Sequence, residues 1–178
     1  MKILLVIDMQ NDFLEGALRN EEGIKIIPKV VEKINEYKRN NDIVIATLDT
    51  HQTNYLDTQE GKNLPVTHCV KDTYGWQIQT DVMDALGDAL LFEKPTFGST
   101  ELASYLKEKY EKIQSELEIE IVGVCTDICV ISNAMVVKAF YPELPLIVDA
   151  KGCAGVTPES HKRALEAMKV CQIKVVNR

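Results

Sequence analysis

Apolar residues in this chain come in short runs, separated by longer stretches in which they recur every three or four positions. Lys2–Asp8 is the first run and predicts a strand, because nearly every residue in it is branched or apolar. Asp42–Leu48, Ala89–Phe92, Glu118–Val124, Leu144–Val148 and Gln172–Val176 repeat the pattern and predict five more. Between them, Ile26, Ile27, Val30, Val31, Ile34 and Tyr37 mark an amphipathic helix over Ile24–Asn40, with Pro28 early in it. Further helices are expected over Trp76–Leu86, over Ser99–Tyr110, from the Thr126-Asp127 pair to about Phe140, and over Thr157–Lys169 with Pro158 at the first helical position. Met9–Gly23 is polar and holds two glycines, so it reads as a loop. Strands without polar alternation that alternate with helices predict a three-layer α/β/α fold on a six-stranded, mostly parallel sheet.

Composition narrows the class. At 178 residues, 46% hydrophobic and 26% charged, the chain suits one soluble domain over 1–178. A net charge of −7 argues against nucleic-acid or anionic-membrane partners, and no apolar run reaches the roughly 20 residues of a bilayer span. Five cysteines without regular spacing do not form a disulfide framework, which points to the cytoplasm.

In sheets of this kind ligands bind outside the carboxyl ends of the strands. Those ends carry Asp8 after the first strand, Asp49-Thr50-His51 after the second, Lys94 after the third, and Cys129 beyond the fourth. An acid, an amine and a thiol meeting in one crevice suit hydrolysis of an amide through a thioester. A helix N-terminus capped by Thr126 and Asp127, together with an ammonium, would favour the thiolate of Cys129. Backbone N–H groups of the same turn would face an oxyanion. Each residue also has a plainer reading: Asp8 as a loop cap, Lys94 as a solvated charge, Cys129 as a small buried side chain.

The connection Asp49–Gly75 is long for a compact domain and holds His51 and His68. Asp49, His51 and His68 are residue types that suit Zn, Mn or Fe, and Asp-x-His puts two side chains on one face of an extended segment. Packing or capping by the two histidines fits the spacing as well.

Three separated motifs, Val6-Ile7-Asp8-Met9-Gln10-Asn11-Asp12-Phe13, Lys94-Pro95-Thr96-Phe97-Gly98-Ser99 and Gly123-Val124-Cys125-Thr126-Asp127-Ile128-Cys129-Val130, resemble the isochorismatase-like cysteine hydrolases in order and spacing. The resemblance covers nearly the whole chain. It implies that family's Rossmann-like fold, commonly assembled as a homo-oligomer, and a catalytic triad of Asp8, Lys94 and Cys129. It also implies a cis peptide at Val124–Cys125 and an oxyanion hole from the N–H groups of Cys125 and Cys129. Asp-x-His followed by Pro65-Val66-Thr67-His68-Cys69 resembles the nicotinamidase branch, in which such residues hold a metal, zinc above all, against the pyridine nitrogen. Asp49, His51 and His68 match. No His lies between 51 and 68, so Glu60 is the candidate fourth ligand, with Asp57 behind it.

For the pocket, Phe13 matches a ring-lining aromatic of the family, and Phe97, Trp76 and Tyr74 are further candidates. Ile128 stands where several nicotinamidases have His. His161 reads as an exposed helical residue, and Cys125, Cys153 and Cys171 as packing. The expected function is a metal-containing nicotinamidase of NAD salvage acting on a small-molecule amide. An N-carbamoyl or ureido amidohydrolase is the rival within the class, and a non-catalytic binding protein is the rival outside it. Isochorismate cleavage needs no thiol and is disfavoured.

Overall fold

The computed structural model describes residues 1–110 and 116–177. Its strands are β1 (Lys2–Ile7), β2 (Ile43–Asp49), β3 (Leu90–Lys94), β4 (Glu118–Val124), β5 (Leu146–Ala154) and β6 (Lys174–Val176). They form one sheet in the order β3-β2-β1-β4-β5-β6, and every pairing is parallel. The helices are α1 (Asn11–Leu14), α2 (Glu21–Arg39), α3 (Gln59–Asn63), α4 (Thr80–Leu86), α5 (Thr100–Tyr110), α6 (Ile131–Phe140) and α7 (Pro158–Val170).

Alternation along β1 builds the layers. Leu4 and Val6 point into a core with α2 and α4, through Val30, Ile34, Val82 and Leu86. Ile3, Leu5 and Ile7 point the other way, against α5, α6 and α7 through Leu102, Leu106, Val137 and Met168. The chain passes from one face to the other between β3 and β4. The strand order therefore reverses at the β1–β4 junction, which opens a crevice at their carboxyl ends. Gly123 lies at that junction with φ of 121°, and a Cβ there would collide with the Ile7 backbone. Only glycine lets β1 and β4 close on each other here.

Several boundaries differ from the sequence expectation, each for a local reason. Met9–Gly23 is not all loop: it contains α1 and the first turn of α2. Asn20 sets that turn by accepting from the N–H groups of Glu22 and Gly23, so the helix starts earlier than expected and Pro28 lies well inside it. Trp76–Gln79 is not helical. Ile78 bridges to Gln10, and α4 begins only where Gln79 accepts from the Val82 N–H. Ser99 caps α5 by accepting from the Leu102 N–H. β5 begins later than expected and runs on to Ala154, past an irregular register against β4.

Thr126 and Asp127 do not cap a helix with their side chains. Thr126–Val130 is a single turn of wide, π-type helix, and α6 starts after it. The Thr126 hydroxyl pairs instead with His161 Nδ1 at 2.8 Å, and Asp127 Oδ1 accepts from the Val156 N–H at 3.1 Å. His161 is accordingly half-buried on α7, not an exposed helical residue.

Candidate active site and metal centre

Asp8, Lys94 and Cys129, from three different strand ends, meet in the crevice. The chain leaves β1 in the left-handed region at Asp8, φ 48°, a conformation that Asp tolerates better than most residues. The Thr47 hydroxyl, one strand away, donates to Asp8 Oδ1 at 2.6 Å, and Lys94 Nζ lies 2.6 Å from Oδ2. The same ammonium reaches Cys129 Sγ at 3.6 Å, Asp49 Oδ1 at 3.4 Å and the Thr96 carbonyl at 3.1 Å. None of the three is a solvated surface group: Asp8 is 0%, Lys94 1% and Cys129 4% exposed.

Burial sets the protonation states. It pushes the Asp8 carboxyl up, against the opposing charge of Lys94. For Lys94 burial works downward, and the charges of Asp8, Cys129 and Asp49 outweigh it, so the amine stays an ammonium. Burial also pushes the Cys129 thiol well up, helped by the negative charge of Asp8 and resisted by Lys94. The sequence pattern pointed to a thiolate at a helix N-terminus. Burial, not an open helix N-terminus, dominates the surroundings of Cys129, and α6 starts only after it.

The peptide Val124–Cys125 is cis. Beyond it, the Cys125 carbonyl accepts from the N–H groups of Ile128 and Val130, both at 3.0 Å, which folds the turn around Cys129. Asn133 donates to the Cys129 carbonyl at 2.8 Å and to the Phe97 carbonyl at 3.0 Å, tying the cysteine turn to the Lys94 loop.

Asp49 joins this centre to a second cluster. Its other oxygen, Oδ2, lies 3.0 Å from His51 Nε2 and 3.6 Å from His68 Nε2. Glu60 Oε1 lies 3.6 Å from His51 Nε2 and 3.7 Å from His68 Nε2. One ligand atom from each of these four residues falls within 4.8 Å of the others. A tetrahedral ion with bonds of about 2.0–2.1 Å would separate its ligand atoms by roughly 3.3 Å, close to the four carboxylate–imidazole separations of 3.0, 3.6, 3.6 and 3.7 Å, so the donor set suits zinc. His68 Nδ1 donates to the Val66 carbonyl at 2.7 Å, which leaves Nε2 to face the cup. Burial and the facing Asp49 charge push the Glu60 carboxyl up, a repulsion that a cation would relieve. Burial also acts upward on Asp49, but hydrogen bonds from both histidines and the Lys94 charge hold it well below the usual carboxylate range.

The long connection is ordered by residues that sequence reasoning passed over. Gln10 donates to the Asp49 and Trp76 carbonyls and accepts from the Asp49 N–H. Asn11 donates to the Tyr74 carbonyl. Asp12 accepts from the Cys69 N–H at 2.8 Å, fixing the residue after His68. Their signal was present in the polar run behind β1, too long for a simple exit turn.

Of the expected pocket residues, Phe13 is buried with its ring centroid 5.6 Å from that of His68, beside the cup. Phe97 is 43% exposed, and Ile128 is half-buried against the core that holds Cys129. Trp76 donates to the Thr50 hydroxyl at 2.8 Å and packs on the α2–α4 side of the sheet, among Leu48, Met83 and Leu91. Its described contacts tie it to the metal-side loop, not to Cys129. Tyr74 is exposed.

A parallel sheet with an acid, an amine and a thiol at its switch point suits a hydrolase that works through sulfur. The Isochorismatase domain model matches residues 2–178, and the chain belongs to that family. It is 24% identical to the nicotinamidase of Saccharomyces cerevisiae over the full length of both chains. It is 30% identical to a probable inactive nicotinamidase of Arabidopsis thaliana, over 96% of this chain and 89% of the relative. Among solved structures, the pyrazinamidase of Pyrococcus horikoshii in complex with zinc is 32% identical, with a TM-score of 0.83 over 99% of both chains.

Proposed function

We propose that this chain is a zinc-dependent nicotinamidase, an amidohydrolase that converts nicotinamide and water to nicotinate and ammonia in NAD salvage. The observation that carries the reading is Asp49, one of whose oxygens faces the Lys94 ammonium while the other faces the imidazoles of the metal cup. A reacting carbonyl and a ring nitrogen can thus be held on either side of one carboxylate. A carbamoyl or ureido substrate would have no use for the second half.

In this reading Asp8 accepts the Cys129 proton, and Sγ attacks the amide carbon to form the C–S bond. The resulting oxyanion faces the N–H groups of Cys125 and Cys129. Asp8 returns its proton to the departing nitrogen, the C–N bond breaks, and ammonia leaves a thioester. A water molecule, deprotonated by Asp8, then attacks the thioester carbon. The C–S bond breaks, Asp8 returns its proton to the Cys129 sulfur, and the acid product leaves as nicotinate, its proton passing to ammonia. Lys94 keeps Asp8 in place and offsets the charge that builds on sulfur. Asp49, His51, Glu60 and His68 would hold the metal, which would supply a Lewis acid for the pyridine nitrogen. Phe13, beside His68, offers an aromatic face to the ring, with Phe97 and Ile128 at the edges of the pocket.

The five free cysteines support a reducing, cytoplasmic setting. No helix among the described residues is long and apolar enough to cross a membrane. The family resemblance supports a homo-oligomer of one 1–178 domain.

Ammonia release from nicotinamide, measured beside a panel of N-carbamoyl and ureido compounds, tests the assignment. Turnover of nicotinamide that a chelator lowers by about a hundredfold and zinc restores is expected. Turnover of the carbamoyl panel alone, with Cys129 still readily alkylated, would transfer the chain to the other amidohydrolases. The probable inactive relative makes a third outcome concrete: no hydrolysis of any amide and no alkylation of Cys129.

A further inference from the structure

The metal cup draws ligands from three places along the connection after β2: His51 at its start, Glu60 on α3, and His68 near its end. One residue touches all three segments, and sequence reading did not single it out. Tyr55 is fully buried, with 0% exposure, in a segment whose neighbours are mostly exposed. Its ring centroid lies 4.7 Å from that of His51, tilted by 60°, and 4.9 Å from that of His68, nearly edge-on at 73°. The two imidazoles, 4.9 Å apart and nearly perpendicular, are thus braced against a common aromatic surface.

The rest of Tyr55 fixes the third ligand. Its hydroxyl donates to the Leu64 carbonyl at 2.9 Å, just beyond the end of α3. Its carbonyl accepts from the Thr58 hydroxyl at 2.6 Å and the Thr58 N–H at 3.0 Å. Thr58 in turn caps α3 by accepting from the Gly61 N–H at 3.0 Å. A Cβ at Gly61 would run into the Tyr55 carbonyl, so the helix that carries Glu60 is seated directly on this residue. Both ends of α3 are therefore tied to Tyr55, one through Thr58 and one through Leu64.

We infer that Tyr55 is the positioning residue of the metal centre, setting the angle between the His51 and His68 rings and the distance of Glu60 from them. The inference rests on the metal reading above and deepens it. Tyr55 makes no described contact with Asp8, Lys94 or Cys129, so its influence is exerted on the ion. Residues that orient metal ligands typically change affinity by about 10–100-fold when removed.

Zinc affinity of the intact protein, measured by competition with a chromophoric chelator well below the unfolding temperature, provides the test. Tyr55→Leu should weaken zinc binding by at least about tenfold, because both ring contacts and the anchor are lost. Tyr55→Phe keeps the ring and loses only the Leu64 anchor, and should fall between the two. Tyr37→Leu, a buried tyrosine replaced on α2, should lower the melting temperature and leave zinc affinity at the wild-type value. If circular dichroism shows Tyr55→Leu unfolded, the Phe variant carries the comparison. Wild-type affinity in a folded Tyr55→Leu, or in the Phe variant where the Leu variant does not fold, would overturn the inference. A wild-type protein that takes up no zinc would overturn the metal reading beneath it, so the two failures are distinct.

Discussion

Lys94, buried, and Lys33, half-buried, each face two carboxylates, and only Lys94 belongs to the crevice. Lys33, on α2, lies 2.6 Å from Glu120 and 3.1 Å from Asp149, on the face of the sheet that α2 covers. Every carboxylate oxygen there has a partner. Tyr37 donates to Glu120 Oε2, Asn177 to Asp149 Oδ2, and the N–H groups of Lys151 and Gly152 to Asp149 Oδ1. That cluster is closed and holds α2 to the sheet. Lys94 is even less exposed, yet its surroundings are open in a chemical sense. Its acceptors include a thiol with a proton to give and an Asp49 whose second oxygen faces two imidazoles. Burial of charge alone does not mark a site. A buried charge shared between a thiol and a carboxylate that also faces a cluster of possible metal ligands does.

Substitution separates the two lysines most sharply. Lys94→Met should lower kcat/KM for amide hydrolysis by about a thousandfold, the scale of losing a buried electrostatic group at the reacting atoms. Lys33→Met should leave kcat/KM within about twofold while costing about 3 kcal/mol of stability by denaturant unfolding, because Glu120 and Asp149 lose their counter-charge. Equal losses of activity in both variants would erase the distinction.

Removing metal probes the open side of the Lys94 cluster. Dialysis against a chelator should lower kcat/KM by about a hundredfold, with recovery on adding one equivalent of zinc per chain, and leave the Lys33 cluster and the fold intact by circular dichroism. The sulfur gives a smaller, graded signal. Burial holds the Cys129 thiol well above the ordinary thiol range, so the thiolate fraction keeps growing as pH rises. Alkylation by iodoacetamide without substrate should rise about tenfold per pH unit and show no plateau up to about pH 9. A plateau near the free-thiol value of about 8.5 would mean the sulfur is solvated. Smallest is the effect of the outer brace on the cysteine turn. Thr126→Val, which removes the bond to His161, should reduce kcat by about threefold to tenfold, the worth of one hydrogen bond near 1 kcal/mol. Thr126→Ser should restore it.

The sequence made the sheet and its strand ends legible because each strand is a run of apolar residues and each functional group follows directly behind one. Asp8, Asp49 and Lys94 could be placed on that basis before any contact was known, and Cys129 one turn further on. Thr126 and Asp127 were legible as cap-type residues but not in their roles. Their partners, His161 and Val156, lie 35 and 29 residues away, and local preference for a cap carries no information about them. The burial of Cys129 was hidden for a related reason: residue type suggests a helix terminus and an ammonium, but burial comes only from packing. Glu60 was a candidate only through the family resemblance, as a substitute for a fourth ligand with Asp57 behind it. Tyr55 was not, since its place depends on two rings brought together from opposite ends of a long connection. Asn20 was likewise hidden by the neighbouring Gly16 and Gly23, which make the segment before α2 look like loop throughout.

The most direct test of the account is to look for the thioester itself. The protein is mixed with nicotinamide, quenched in acid within one turnover, and the peptide containing Cys129 is weighed by mass spectrometry. A nicotinoyl group on Cys129, absent from Cys129→Ala, is the predicted result. Ammonia release that continues in Cys129→Ala, with no adduct on the wild-type peptide, would contradict the assignment of Cys129 as the nucleophile.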